Sequence, residues 1–210
     1  EIAARVLPTK EVLGGIAFHN QLEQDSLVAD AYVRVLQDNN NNNFHIPENV
    51  WRFGRVRDIV VPRIISKRPN TQPRIVFFCG QSLEPWYPET LNTTGIGGSE
   101  TAVIQIARRF AQAGWRADVY NNCDYLEGVY GEVGYWDCKR LQENKATDIL
   151  VAWRQAAFLD IPVNRTKSFL WCHDLNRGPE VREAMSRFDK VLGVSAWHAK
   201  YLEQAYNLSN

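Results

Sequence analysis

The 210-residue chain has no excess of either charge sign, with 24 Lys and Arg against 24 Asp and Glu. A dedicated nucleic-acid binder carries a basic surplus, so that class is disfavoured. No apolar run approaches the roughly 18–20 residues that a membrane-crossing helix needs. The four cysteines, Cys79, Cys123, Cys138 and Cys172, form no C-x-x-C pair, and no histidine stands at zinc-ligand spacing from them. Two of them lie inside apolar runs (VFFCG and FLWCHD), which predicts buried thiols in a reducing, cytoplasmic compartment. There is no G-K-[ST] for a Walker A loop, no G-x-S-x-G elbow and no conspicuous carboxylate pair. The chain starts at Glu1 without Met and has no signal-type apolar region, which predicts a processed or cut chain.

What is present divides at about Pro73. Before it, residues 12–37 are rich in helix formers, with Leu22, Leu27, Val28, Ala31, Tyr32 and Val35 near helical spacing. The run Asn39-Asn40-Asn41-Asn42-Asn43 then predicts a loop. Residues 52–68 hold six basic side chains (Arg52, Arg55, Arg57, Arg63, Lys67, Arg68) against Asp58 alone. That run reads as a solvated face or, alternatively, as a contact for an anion or for the acidic surface of a membrane. Residues 1–73 are therefore expected to be a helical or irregular extension ending in a linker, Pro69 to Pro73.

From Arg74 to Asn210 short apolar runs alternate with amphipathic stretches. Ile75-Val76-Phe77-Phe78-Cys79-Gly80 has the pattern of a strand buried on both faces. Val103, Ile106, Ala107, Phe110 and Ala111 recur at helical spacing, with Ser99 as the expected N-cap and Gly114 just past the end. Further strands are expected over 116–120, 148–153, 167–171 and 190–194, helices over 180–187 and after Ser195, and a small hairpin within 129–136. The alternation predicts an α/β, Rossmann-like, mostly parallel sheet flanked by helices. Val76, Phe78, Val119, Leu150, Val151, Leu170, Leu192 and Val194 are expected in its core. Ligands of such sheets sit at the carboxyl ends of the strands. This directs attention to the loop from Gly80 to Glu100, Asn121, Arg154, His173-Asp174 and Ser195.

Two motifs carry candidate chemistry. Thr94-Gly95-Ile96-Gly97-Gly98-Ser99-Glu100 runs directly into a helix. Glycines admit a ligand close to the backbone, and a helix start offers unpaired N–H groups and a dipole that favours anions, so Gly97, Gly98 and Ser99 fit a phosphate. The same pattern is also that of an ordinary turn and cap. Glu100 suits the helix dipole but opposes an adjacent phosphate; sugar hydroxyls or the loop itself are alternative partners. The second motif, Phe169-Leu170-Trp171-Cys172-His173-Asp174, ends a buried strand in a histidine. His173 there can bond a hydroxyl or phosphate oxygen, or serve structure alone, and Asp174 can set its tautomer or bind a hydroxyl.

The series RIVFFCG, GIGGSETA, AGWRADVY, DILVAWR, LWCHD and FDKVLGVSAWHAKYL resembles, in order and spacing, the N-terminal domain of GT-B glycosyltransferases. It is most similar to the retaining family 4, group 1 type, over about two thirds of the chain, 74–210. The resemblance implies an acceptor-side domain whose Gly97 and Gly98 abut the donor's phosphates. It makes His173 the catalytic contact to the transferred sugar, with Glu100 and Ser195 as weaker carry-overs. It implies a nucleotide-sugar substrate, no metal and no other cofactor, and a glycan, lipid or protein acceptor. Such enzymes carry a second, donor-binding domain marked by E-x7-E, and no two glutamates here stand eight positions apart. The chain is thus expected to be the acceptor-side half, inactive alone. A non-catalytic Rossmann-like module that docks a glycan or a protein is the alternative. A nucleotide-cofactor enzyme such as a dehydrogenase is disfavoured, because the glycines follow Gly80 by fifteen or more residues.

Overall fold

A computed structural model describes residues 22–38, 45–68, 70–143, 146–175 and 179–208. The chain divides into two compact units, Glu1–Arg68 and Pro69–Asn210. The asparagine run Asn39–Asn43, positions 12–21 of the first expected helix, and Pro69 of the expected linker lie outside the described residues.

In the first unit, helices α1 (Leu22–Asp38), α2 (Glu48–Trp51) and α3 (Gly54–Lys67) are described. Val28, Ala29, Tyr32, Val35 and Leu36 of α1 pack with Val50 and Val56 into one apolar cluster. The basic run is largely consumed within this unit. Asp25, buried, accepts from Arg52 at 2.6 Å and from Asn49 at 2.7 Å. Arg55 pairs with Asp30 at 2.7 Å, Arg57 donates to the Trp51 carbonyl, and Arg63 donates to the Leu36 carbonyl. Most of α3 escaped the sequence reading, because Pro62 interrupts a charge-rich stretch of weak periodicity.

The second unit has the expected α/β architecture. Its strands are β1 (Arg74–Phe78), β2 (Arg116–Asn121), β3 (Gly128–Tyr130), β4 (Val133–Asp137), β5 (Ala146–Trp153), β6 (Asn164–Cys172) and β7 (Lys190–Gly193). They form one sheet in the order β3-β4-β2-β1-β5-β6-β7, parallel throughout except for the β3–β4 hairpin. The hairpin was legible in the sequence. Helix α4 (Gly98–Gln112) covers one face through Val103, Ile104, Ala107 and Ala111, over Ile75, Phe77, Val119 and Val151. Its apolar stripe is turned slightly from the expected one, so that Ile106 is exposed and Ile104 buried. Helices α5 (Pro179–Ser186) and α6 (Ala196–Tyr206) close the other face, where Met185, Leu202 and Tyr206 meet Ala152, Leu170 and Cys172. Val151 and Ala152 fall in opposite clusters because successive strand residues point to opposite faces.

Six of the eight expected core residues, Val76, Phe78, Val119, Leu150, Val151 and Leu170, are buried. Leu192 is only half-buried and Val194 is 53% exposed. Strand β7 pairs with β6 alone, so it is a sheet edge, and Val194 lies past its last residue. Apolar character in the sequence does not distinguish an edge from a centre.

At the amino ends of the strands, Asp118 is fully buried. It accepts from Arg74 Nε at 3.0 Å, Arg116 Nε at 3.1 Å and Trp136 Nε1 at 2.9 Å. Removing this carboxylate leaves two guanidinium groups without their counter-charge at the base of the sheet. Asp118→Ala is expected to cost about 3–5 kcal/mol of stability in urea titrations. A loss under about 1 kcal/mol would show that the network is dispensable.

Candidate functional site

Strand β1 is followed in sequence by β2 on one side, while β5 flanks it on the other. Chain connections therefore leave the carboxyl ends of β1 and β5 in opposite directions, the place where open α/β sheets form a ligand crevice. A cleft of about 630 Å³ lies there, in the range of small-ligand sites. Cys79 and the segment Gln81–Trp86 line it from the β1 side, Ile96, Gly97 and Glu100 from the start of α4, and Trp153, Arg154, Gln155 and Asp174 from the ends of β5 and β6.

The loop after β1 is tied to the sheet. Gly80 has φ +67°, and a Cβ there would run into the Phe158 ring, so the chain turns where only glycine fits. Asn121 Nδ2 donates to the Trp86 carbonyl at 2.6 Å, the Trp86 amide donates to Asn122 O at 3.0 Å, and Asn122 Nδ2 reaches Ser82 O. Asn121 is thus the anchor of the loop and no part of the cleft lining.

Helix α4 begins two residues earlier than expected. Its N-cap is Gly97, with no side-chain cap, and Ser99 sits inside the first turn. Ser99 Oγ donates to Glu100 Oε2 at 2.8 Å instead of capping the helix. A Cβ on Gly97 would collide with that same carboxylate, whereas the space around Gly98 is open. The N-cap residue therefore supplies no side-chain acceptor to the first backbone N–H groups of α4.

Of the residues expected to bind substrate, Gly97, Glu100 and Asp174 line the cleft together. Gly98 and Ser99 adjoin it in the chain without lining it. Ser195 is not among the lining residues; its hydroxyl caps α6, accepting from the His198 amide at 3.1 Å. His173 packs its ring on Trp153 and Trp171, with centroids 5.9 and 4.6 Å away. Its Nε2 is buried without a partner among the described residues. Burial, and next the Arg154 guanidinium, hold its pKa below the ordinary imidazole value, against Asp174 and Glu100. His173 is therefore a neutral hydrogen-bonding group at neutral pH.

Arg154 is the lining residue with the most unusual backbone. It has φ +65°, strained for a non-glycine residue, and donates from Nε to Asp174 Oδ2 at 2.7 Å while its guanidinium lies 5.0 Å from the Trp153 ring. Its position directly after a buried strand run was the available signal. The 81–86 segment lies in the loop from Gly80 to Glu100 to which the sequence pointed, whereas Trp153 read only as a strand residue and gave no signal of its own. Burial, reinforced by Glu100 and Cys138, pushes the Cys79 thiol well up, so it is no nucleophile. None of the four cysteines forms a disulfide. Among the described residues no cluster of three or more His, Cys, Asp or Glu side chains is placed to hold a metal, and no helix is long and apolar enough to cross a membrane.

Comparison with family models, with curated proteins and with solved structures finds no match for this chain.

The depressed His173 pKa has a consequence for stability. The unfolded chain binds this proton more tightly than the folded chain, so the contribution is intact above about 6.5 and is lost as pH falls below it. Urea midpoints at pH 7.5 and 5.0 are expected to differ more for the wild type than for His173→Gln. Equal differences would place His173 in water.

Proposed function

We propose that the second unit is the acceptor-side domain of a retaining GT-B glycosyltransferase that uses a nucleotide-sugar donor. The observation that carries this reading is the switch-point cleft itself, lined by Gly97 and Glu100 at the α4 start and by Asp174, the residue after His173, from the end of β6. The motif order from RIVFFCG to the stretch after β7 supports the same reading, as does the Rossmann-like sheet.

Transfer from a nucleotide sugar requires the leaving diphosphate to be stabilised as the sugar–phosphate bond breaks, and the sugar to be held in line. In this proposal the N–H groups around Gly97 and Gly98 serve the diphosphate oxygens, helped by the positive end of the α4 dipole. Neutral His173 holds a hydroxyl of the transferred sugar or a phosphate oxygen. Glu100 is kept off the phosphate path by its bond from Ser99 and is free to accept a sugar hydroxyl on its other oxygen. The acceptor is a glycan, a lipid or a protein that approaches from the cleft mouth.

In the family that the sequence resembles, the base and ribose are gripped by the other domain. This chain is therefore expected to bind UDP-, GDP- or ADP-sugars weakly, on the order of millimolar, in a salt-sensitive way and without turnover. Backbone-amide NMR titration is expected to shift resonances of Gly97, Gly98 and Glu100. Gly98→Val is expected to abolish those shifts with little change in melting temperature, since a Cβ there meets no protein atom and, in this proposal, the branched side chain crowds the amides that take the diphosphate. Shifts confined to other segments, or micromolar affinity with turnover, would contradict the reading.

A further inference from the structure

Among the described residues that line the cleft, Arg154 is the one cation, and it stands at the centre of a strained turn. The Gln155 amide donates to the Trp153 carbonyl at 2.8 Å, closing three residues around a φ of +65°. Such a turn is rare for a residue with a side chain, and glycine adopts it at no steric cost. Strain of this kind concentrates where a side chain is needed by a ligand. Stability offers little in return, because Arg154 and its partner Asp174 are 36% and 42% exposed and water screens such pairs.

Three contacts orient the guanidinium and leave its outer edge unused. The Arg154 amide donates to the Trp171 carbonyl at 2.9 Å, Nε donates to Asp174 Oδ2 at 2.7 Å, and the group lies 5.0 Å from the Trp153 ring. Neither Nη has a hydrogen-bond partner among the described residues. An oriented Nη pair is a fork that matches two oxygens of a carboxylate or a phosphate. The carboxylates of the cleft do not fill it. Asp174 occupies the Nε edge, Glu100 Oε2 accepts from Ser99, and Glu84 is exposed to water.

Arg154 is also near enough to His173 for its charge to act on the imidazole. A group held on the Nη pair is therefore beside the sugar that His173 holds in the proposed transfer, where an acceptor must meet it. We propose that Arg154 binds the acceptor, its Nη pair taking a carboxylate or phosphate group of a hydroxylated molecule such as a sugar acid or a sugar phosphate. The inference rests on the glycosyl-transfer reading and deepens it, by narrowing the acceptor to one that carries an anionic group.

The test is backbone-amide NMR titration of this chain with glucuronate, glucose 6-phosphate and glucose. At least one of the two anionic sugars is expected to bind about ten-fold more tightly than glucose, the scale of one charge-assisted fork. Which of them does so tells a carboxylate from a phosphate. Its shifts are expected to be largest at Arg154, Gln155 and Asp174. Arg154→Gly suits the φ of +65° and is expected to keep the melting temperature while reducing the anionic sugar to the level of glucose. Arg154→Lys keeps the charge without the fork and is expected to lose most of the preference. It decides the matter alone if Arg154→Gly fails to fold. Equal binding of the three sugars, shifts largest at Gly97 and Gly98, or a preference that survives either substitution in full would each overturn the proposal.

The two readings fail separately. An anionic sugar that binds through Arg154 while nucleotide sugars leave Gly97 and Gly98 unmoved removes the transferase reading and retains an anion site at Arg154. Nucleotide-sugar shifts at those glycines with no anionic preference at Arg154 do the reverse.

Discussion

Everything proposed for this protein depends on strand β1 being enclosed on both sides by parallel neighbours. Its register places Ile75 against Ala117 and Ile149, and Phe78 against Tyr120 and Ala152. With both edges paired and both faces packed, the strand is held firmly, and its carboxyl end becomes a fixed platform. The chain leaves that platform by a turn at Gly80 and returns in α4, while β5 ends beside it in Trp153 and Arg154. A cleft at this point is a consequence of the winding. Its chemistry is supplied by the few residues that happen to end the strands.

The unit separates its charges by depth. At the amino ends of the strands, Asp118 gathers Arg74, Arg116 and Trp136 into a buried network that uses its polar groups internally. Glu127 and Arg140 form a second buried pair at 2.6 Å beside β4. At the carboxyl ends the polar groups are incompletely matched: among the described residues two indole donors and His173 Nε2 lack partners, and Arg154 sits on a strained backbone. Buried polar groups are normally satisfied, so this concentration at one end of the sheet is what the proposed ligand site rests on.

Much of this was legible in the residues. Continuous apolar runs located β1, β2, β5 and β6 to within a few positions, since a strand buried on both faces has little choice of composition. The glycine cluster located the helix start, although the cap proved to be Gly97 and Ser99 turned to Glu100. Local patterning failed where the answer depends on neighbours distant in sequence. Leu192 and Val194 look as apolar as any core residue, yet β7 is an edge. Trp86 and Trp153 read as loop and strand residues, and only the folded sheet brings them to one cleft 67 positions apart in the chain. The arginines of α1–α3's unit looked like a free basic face, and the helices draw most of them onto Asp25, Asp30 and backbone carbonyls.

The central claim is that the proposed ligand sits at the β1–β5 switch point. Photo-affinity labelling with a diazirine-bearing nucleotide sugar, followed by peptide mapping, tests it most directly. The account expects adducts within residues 81–100 and 153–174, reduced by competition with the unlabelled nucleotide sugar. Competed adducts on residues 22–68, or on the exposed Val194 and Trp197 of the β7–α6 edge, would contradict it.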